Sequence, residues 1–288
     1  MKSIIMQIAH RTKQNERGEA GIGNVASPTF GCTPTLRLSR IKNWMMNPHL
    51  VLLCGFMLHM QLLAGQSPYG LSTGKDRPIL GGEALLFGVK IALGKKFPPV
   101  TSEDVVGLNL ENVPGIDQHV VHNWSPTAHR TSNVFLYSSI AVPTFLPWLA
   151  GQTSRHKMGV TYLIVFEGML ATYTLTELTK LLVKRKRPYV YRRSAFDGEL
   201  CTRDAQKSFF SGHASQTAVH YYLGAKMFHD FYPDSKWKPA VWATAAIIPA
   251  ITAWKRVQAG KHFVSDVLVG YAVGALVGIL IPEIHRVL

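Results

Sequence analysis

The chain has 288 residues, 47% of them hydrophobic, with a mean hydropathy of +0.08 and a formal charge of +14. That length accommodates one sizeable domain, and the modest hydropathy excludes a chain that is apolar from end to end. The surplus of cations implies an anionic partner: phosphate, anionic lipid or nucleic acid. Cys32, Cys54 and Cys201 have no metal-ligand spacing, and no two histidines stand four apart, so neither a metal nor another cofactor is expected. If residues 1–66 are removed, Cys201 alone remains and no intrachain disulfide can form.

Residues 1–44 are polar and lack periodicity, which reads as a disordered or over-extended start. Basic Arg40 and Lys42 stand ahead of residues 45–66, whose apolar run, Leu50 to Ala64, is closed by small or polar residues. This is the pattern of a secretory signal peptide, with an uncleaved anchor as the alternative. Residues 67–130 read as extracytoplasmic loops and short helices. Pro68, Gly70, Gly74, Pro78, Gly81 and Gly82 mark loop, and 83–96 forms a helix too short to cross a bilayer. His119, His122 and His129 fall in the loop region and read as solvated or capping side chains.

Residues 131–288 form the principal domain. Its apolar segments are 134–150, 158–183, 213–232, 240–254 and 263–281. Glu167 lies inside the second and needs a partner or a polar cavity there. Gly270, Gly274 and Gly278 recur every four residues in the last, a stripe that permits close helix contact. No strand-like alternation occurs. The fold class is all-α, a helical bundle of four to six core helices, read as membrane-embedded. If 83–96 does not cross and residue 67 starts outside, the short inner turns carry Arg155, Lys157, Lys236, Lys238 and Arg286. The polar segments at the other ends then face outward, in keeping with the positive-inside rule. Had 83–96 crossed, those segments would face the cytoplasm.

Three of these polar segments carry chemistry. Lys180 and Arg187 are seven residues apart, two helical turns, and Pro188 ends the run. Ser211-Gly212-His213 opens a helix, where Gly212 lets backbone N–H groups approach an anion and His213 can protonate a leaving oxygen. Arg256 precedes His262 by six residues across Gly260, and Asp266 follows by four, on one helical face with His262. Asp266 can accept from one ring nitrogen of His262 and leave the other neutral and nucleophilic. The planar fork of Arg256 suits two phosphate oxygens. Lys184, Arg185, Lys186, Arg192 and Arg193 read as a solvated basic patch that attracts anionic lipid.

KxxxxxxRP, SGH and RxxxxxHxxxD, in this order, resemble the three-part signature of the type 2 phosphatidic acid phosphatase superfamily, over roughly residues 130–285. That group includes bacterial acid phosphatases, membrane lipid phosphatases and vanadium haloperoxidases. The resemblance implies His262 as a nucleophile forming a phosphohistidine, Asp266 as its orienting group and His213 as the acid for the leaving group. It implies Lys180, Arg187, Arg256, Ser211 and the Gly212 amide as phosphate-binding groups, without a metal. Two departures stand out: Phe210 occupies the usual Pro position before Ser-Gly-His, and Lys255 the usual Ser position before the motif Arg.

The function expected on these grounds is a phosphatase acting on a phosphomonoester or diphosphate of a membrane lipid, at the periplasmic face of a bacterial inner membrane. Candidate substrates are undecaprenyl diphosphate, the lipid A phosphates, phosphatidic acid and phosphatidylglycerol phosphate. The expected partners are that phosphorylated lipid and the membrane, with no nucleic acid. Alternatives are a soluble periplasmic acid phosphatase, a vanadate-dependent haloperoxidase and a non-catalytic basic membrane protein that binds anionic lipid.

Overall fold

The computed structural model of the chain describes residues 68–149, 155–192 and 200–287. The signal or anchor expected at 45–66 and the polar start at 1–44 lie outside the described residues. Seven long helices appear: α1 (Thr73–Lys95), α2 (Pro126–Ser139), α3 (Ala141–Leu149), α4 (Arg155–Val183), α5 (Gly212–Phe231), α6 (Lys238–Gln258) and α7 (Val264–Ile284). Among the described residues no strand forms; the chain is an all-α bundle.

Side-chain pairings give the helix directions. Along α4 and α5, Lys180 meets Gly212, Thr176 meets Ser215, and Gly168 meets Leu223, so the two run antiparallel. α2 and α3 act as one broken pass alongside α5: Asn133 meets His213, Ser139 meets His220, and Val142 meets Gly224. α7 also runs with α5, since Gly270, Gly274 and Gly278 lie against Ser211, Ser215 and Tyr222 in turn. α6 returns antiparallel, placing Arg256 beside His129 at one end and Trp242 beside His229 at the other. The ends carrying Lys180, Gly212, Arg256 and Asp266 therefore lie in one layer.

α1 departs from the sequence reading. It begins at Thr73, ten residues before the expected start, and runs beside α4 in the same direction: Lys90 Nζ donates to Tyr173 Oη at 3.1 Å, and Gly94 faces Leu181. Twenty-three residues at 1.5 Å each give a helix of about 34 Å, the depth of a hydrocarbon core. Pro78, Gly81 and Gly82 suggested loop, but tertiary anchoring overrides their weak helix propensity. Asp76 accepts from the Ser72 N–H at the helix start and lies 3.1 Å from His285 Nε2. Glu167, the acid inside α4, lies 3.2 Å from the same nitrogen. His285 Nδ1 donates to the Ile281 carbonyl, which turns Nε2 toward the two carboxylates. Gly70 N donates to the His285 carbonyl, which ties the beginning of the described chain to the end of α7, on the side opposite the motif layer.

The region expected as loops and short helices thus supplies a full pass, and α2 begins at Pro126, with Ser125 accepting from the Ala128 N–H as its cap. Six passes result among the described residues. α5 is central, with neighbours on several sides and many buried residues. An apolar cluster of Val160, Ile164, Val219, Leu223 and Met227 fills the far half of the bundle. A second cluster, Val120, Val121, Ala214, Val257, Phe263 and Val267, supports the motif layer. Gly274 shows why the glycine stripe exists: a Cβ there would stand 2.1 Å from the Ser215 carbonyl oxygen. Cys201 is disulfide-bonded. The expectation that Cys201 stands alone once residues 1–66 are removed turns on residues outside the described ones.

Candidate active site

His262 sits in the turn between α6 and α7, with 1% of its surface exposed. Gly260 makes that turn possible, at φ +64° and with the Asn123 carbonyl where a Cβ would be. The ring's Nδ1 lies 2.8 Å from the Ser208 carbonyl oxygen. A carbonyl only accepts, so Nδ1 carries the proton and Nε2 keeps its lone pair. Arg187 Nη1 points at that lone pair from 3.2 Å. Burial, then the charges of Arg187, Arg256 and Lys180, hold the imidazole pKa well below its usual value. His262 is neutral.

Asp266 does not make the direct hydrogen bond expected of it. Its Oδ2 lies 3.6 Å from His262 Nδ1. As the third residue of α7 it accepts from the Phe263 N–H at 2.9 Å, and the same oxygen accepts from the Ser208 hydroxyl. Asp266 therefore fixes Ser208, and the Ser208 carbonyl fixes the ring. The other carboxylate oxygen takes Arg185 Nη1.

Arg185 is a correction to the sequence reading. It was expected in a solvated basic patch. Its guanidinium instead bridges Asp266 and Asp117, the latter at 2.8 Å, and covers the Phe263 ring at 4.3 Å. Asp117, fully buried, also accepts from the Ser265 N–H and hydroxyl. Lys186 reaches Asp104 and Gln206. The sequence offers no signal for these pairings, because Asp117 is 149 residues from Asp266 and no spacing links them.

The three motif cations are buried and converge. Arg187 donates from Nε to the Asp204 carbonyl and from Nη2 to the Asp204 carboxylate, each at 2.9 Å, and from Nη1 to the Lys261 carbonyl. Lys180 Nζ pairs with Glu177 at 2.8 Å, and a Cβ on Gly212 would stand 3.1 Å from that nitrogen. Arg256 Nη1 donates to His129 Nδ1 at 2.8 Å and lies 3.3 Å from the Ser132 hydroxyl. Its Nε is buried without a hydrogen-bond partner. His129, read from sequence as a loop residue with no special role, thus holds a motif arginine.

Ser211 is fully buried, and its hydroxyl accepts from the Ala214 N–H as the α5 cap. That bond uses a lone pair of the hydroxyl and leaves its O–H able to donate. His213, one residue into α5, places Nε2 2.7 Å from Asn133 Oδ1. Asn133 also went unnoticed in the sequence. Burial, then the charges of Arg256, Lys180 and Arg187, act on His213 as they do on His262, so both histidines share one electrostatic environment. Lys255 turns away from Arg256 and donates to Gln258 at 2.9 Å.

The family model described as the PAP2 superfamily matches residues 161–287. No curated protein sequence matches the chain. A solved structure, a transmembrane PAP2 type phosphatidylglycerolphosphate phosphatase from Bacillus subtilis, aligns with 21% identity and a TM-score of 0.43. The alignment covers 70% of this chain and 94% of that one. The matched segment spans less than half of the chain and contains all three motifs, so over residues 161–287 the chain is similar to the PAP2 superfamily.

Proposed function

We propose that the protein is a phosphatase of membrane lipids, acting on a phosphomonoester or diphosphate through a phosphohistidine on His262. The observation that carries this reading is the unprotonated Nε2 of a neutral, buried imidazole, facing Arg187 Nη1 and set among three buried cations. Arg256 is the telling one: no carboxylate is recorded beside its guanidinium among the described residues, and its Nε is unpaired. A buried cation in that state favours a bound anion.

In the proposed reaction, Lys180, Arg187 and Arg256 hold the phosphoryl oxygens, with the first turn of α5 at Gly212 contributing backbone dipole. Nε2 attacks phosphorus as the bond to the leaving oxygen breaks. His213, whose Nε2–H is held by Asn133 Oδ1, takes up a second proton at Nδ1 when the anionic substrate binds and gives that proton to the leaving oxygen. The phosphohistidine carries positive charge on the ring, which the Ser208 carbonyl and the nearby Asp266 carboxylate stabilise. Water, deprotonated by His213, then attacks phosphorus, the N–P bond breaks, and phosphate leaves with His262 neutral again.

The membrane assignment rests on the bundle surface. Leu85, Leu86, Val89, Val134, Tyr137, Phe145, Ile247, Ile251, Trp254, Leu268, Leu276 and Leu280 are exposed on its helices. A belt of that extent is far more than a water-facing surface carries by chance. Lys157–Tyr191 and Val264–Ile284 are long and apolar enough to span by length and composition. Undecaprenyl diphosphate, lipid A phosphates, phosphatidic acid and phosphatidylglycerol phosphate all present a phosphate at the depth where the motif layer lies. We place that layer on the outer face. The short turns on the far side bear Lys157, Lys236, Lys238 and Arg286, whereas Arg185, Lys186 and Arg187 on the site side are neutralised by Asp117, Asp266, Asp104 and Asp204.

The test is phosphate release across a panel of those lipids in mixed micelles. The wild type is expected to release phosphate from at least one of them. His262→Ala is expected to lower the rate by at least about 10³-fold, the scale on which removing a covalent nucleophile acts. Turnover that persists in this variant would sink the mechanism.

A further inference from the structure

A second feature lies beside the active site but faces away from it. A pocket of about 410 Å³ opens between the first turns of α2 and the last turn of α6. Trp124, Ser125, Thr127, Thr131, Lys255 and Gln258 line it, and no carboxylate is among its lining residues. Helical periodicity separates it from the catalytic layer. On α6, Lys255 and Gln258 share a face with Trp254, Ile251 and Ile247, while Arg256 points to the opposite side. On α2, Thr127 and Thr131 share a face with Val134, while His129, Ser132 and Asn133 turn inward to Arg256 and His213.

The two outward stripes change character together. Nearest the motif layer both are polar, with Lys255 supplying the charge. One to three turns further along, both are apolar and exposed: Val134 at 65% and, beside it on α2, Tyr137, against Trp254 at 57% and Ile247 and Ile251 below it. Arg192 and Lys261 flank Trp124 at 4.9 and 5.0 Å from the ring centre, adding two cations at the rim. A cationic, hydroxyl-rich pocket continuous with an apolar lateral groove matches a molecule with an anionic head and hydrocarbon tails.

We propose that this groove between α2 and α6 binds an anionic membrane phospholipid, with its head-group phosphate against Lys255, Thr127 and Thr131 and its acyl chains along Val134, Ile251 and Trp254. The site is distinct from the catalytic one. It rests on the membrane reading given above but not on the proposed chemistry. The position before the motif arginine, where the superfamily pattern has Ser, here carries the residue that supplies this pocket's charge.

The experiment uses the full chain reconstituted in nanodiscs, extracted into detergent and weighed by native mass spectrometry, with phosphatidylglycerol or phosphatidylcholine as the probe lipid. The wild type is expected to retain phosphatidylglycerol at least about fivefold more than phosphatidylcholine. Lys255→Glu is expected to abolish that preference and Lys255→Arg to keep it. Thr131→Trp, which fills the pocket from the α2 side, is expected to abolish it as well, and serves if Lys255→Glu does not fold. Retention unchanged in Lys255→Glu or Thr131→Trp overturns the proposal. So does equal retention of the two lipids by the wild type, or release of the lipid by millimolar inorganic phosphate, which would make free phosphate the ligand. His262→Ala is expected to retain the lipid like the wild type, so a failure of the catalytic mechanism and a failure of this site read out separately.

Discussion

At the scale of single residues, the site depends on how a neutral imidazole is held among positive charges. Arg185 is central although it belongs to no motif. It closes a buried chain from Asp117 through its own guanidinium to Asp266, and from Asp266 through Ser208 to His262. Removing one partner of a buried ion pair leaves an uncompensated charge, at a cost of about 3–5 kcal/mol. Arg185→Met is therefore expected to lower thermal stability markedly and to reduce phosphate release, while Lys184→Met, an exposed neighbour, changes neither appreciably. Equal effects in a melting and activity comparison of the two variants would count against the role given to Arg185. The same electrostatics set the pH response. In the proposed reaction the attacking form of His262 is neutral, and burial together with Arg187, Arg256 and Lys180 depresses its pKa, so acidification protonates it later than an ordinary histidine of about 6.5. Hence the acid limb of kcat/KM, after allowance for ionisation of the substrate's own phosphate, is expected below pH 6.5. An acid limb at or above that value, assigned to the free enzyme, would contradict the environment described for the ring.

At the scale of helices, the catalytic layer depends on how closely α7 approaches α5. Phe263 and Asp266 begin α7 directly under the cap of α5, where Ser211 N donates to the Asp266 carbonyl at 3.0 Å. The glycine stripe keeps the two axes close enough for that bond. Alanine is favoured over glycine in a helix by about 1 kcal/mol. At Gly274 that gain is outweighed, because the new Cβ would lie 2.1 Å from a backbone oxygen that cannot move without shifting α5. Gly274→Ala is expected to lower the melting temperature and disturb activity from a distance. Gly88→Ala on the outer face of α1, where a Cβ meets nothing within 4 Å, is expected to be neutral or stabilising by about 1 kcal/mol. Thermal unfolding of the pair decides between packing and propensity; a stabilised Gly274→Ala would show that the stripe is not a contact surface.

At the scale of the whole molecule, the sixth pass changes the topology. The described chain begins and ends on the side away from the site, since Gly70 bonds to His285 and Tyr69 pairs with Arg286. On the proposed membrane reading, with all six passes crossing, a chain delivered outward at residue 67 would put the site inside. The outward site we propose requires Pro68 on the cytoplasmic side. Glu111 lies in the segment joining α1 to α2 at the site layer, and Lys236 lies in the turn between α5 and α6 on the far side. A membrane-impermeant thiol reagent added to sealed cells is expected to label Glu111→Cys and not Lys236→Cys; the reverse pattern would place the site in the cytoplasm.

The sequence by itself determined the all-α class, the three motifs and the superfamily they resemble. These features are local: a helix shows in a 3.6-residue period, and each motif joins residues that helix geometry or a short turn holds together. Glu167 also announced, from within an apolar run, that it needed a partner. Only the tertiary structure named that partner, His285, and with it Asp76, which draws α1 into a full pass despite Pro78 and five glycines. Only the tertiary structure separated Arg185 from its basic neighbours, gave His129 to Arg256 and Asn133 to His213, and put Ser208 between Asp266 and His262. The physical reason is common to all of them. A buried charge or polar atom is satisfied by whatever group folding brings within hydrogen-bond reach, and the chain separation between the two, 149 residues for Asp117 and Asp266, leaves no periodic trace in the sequence.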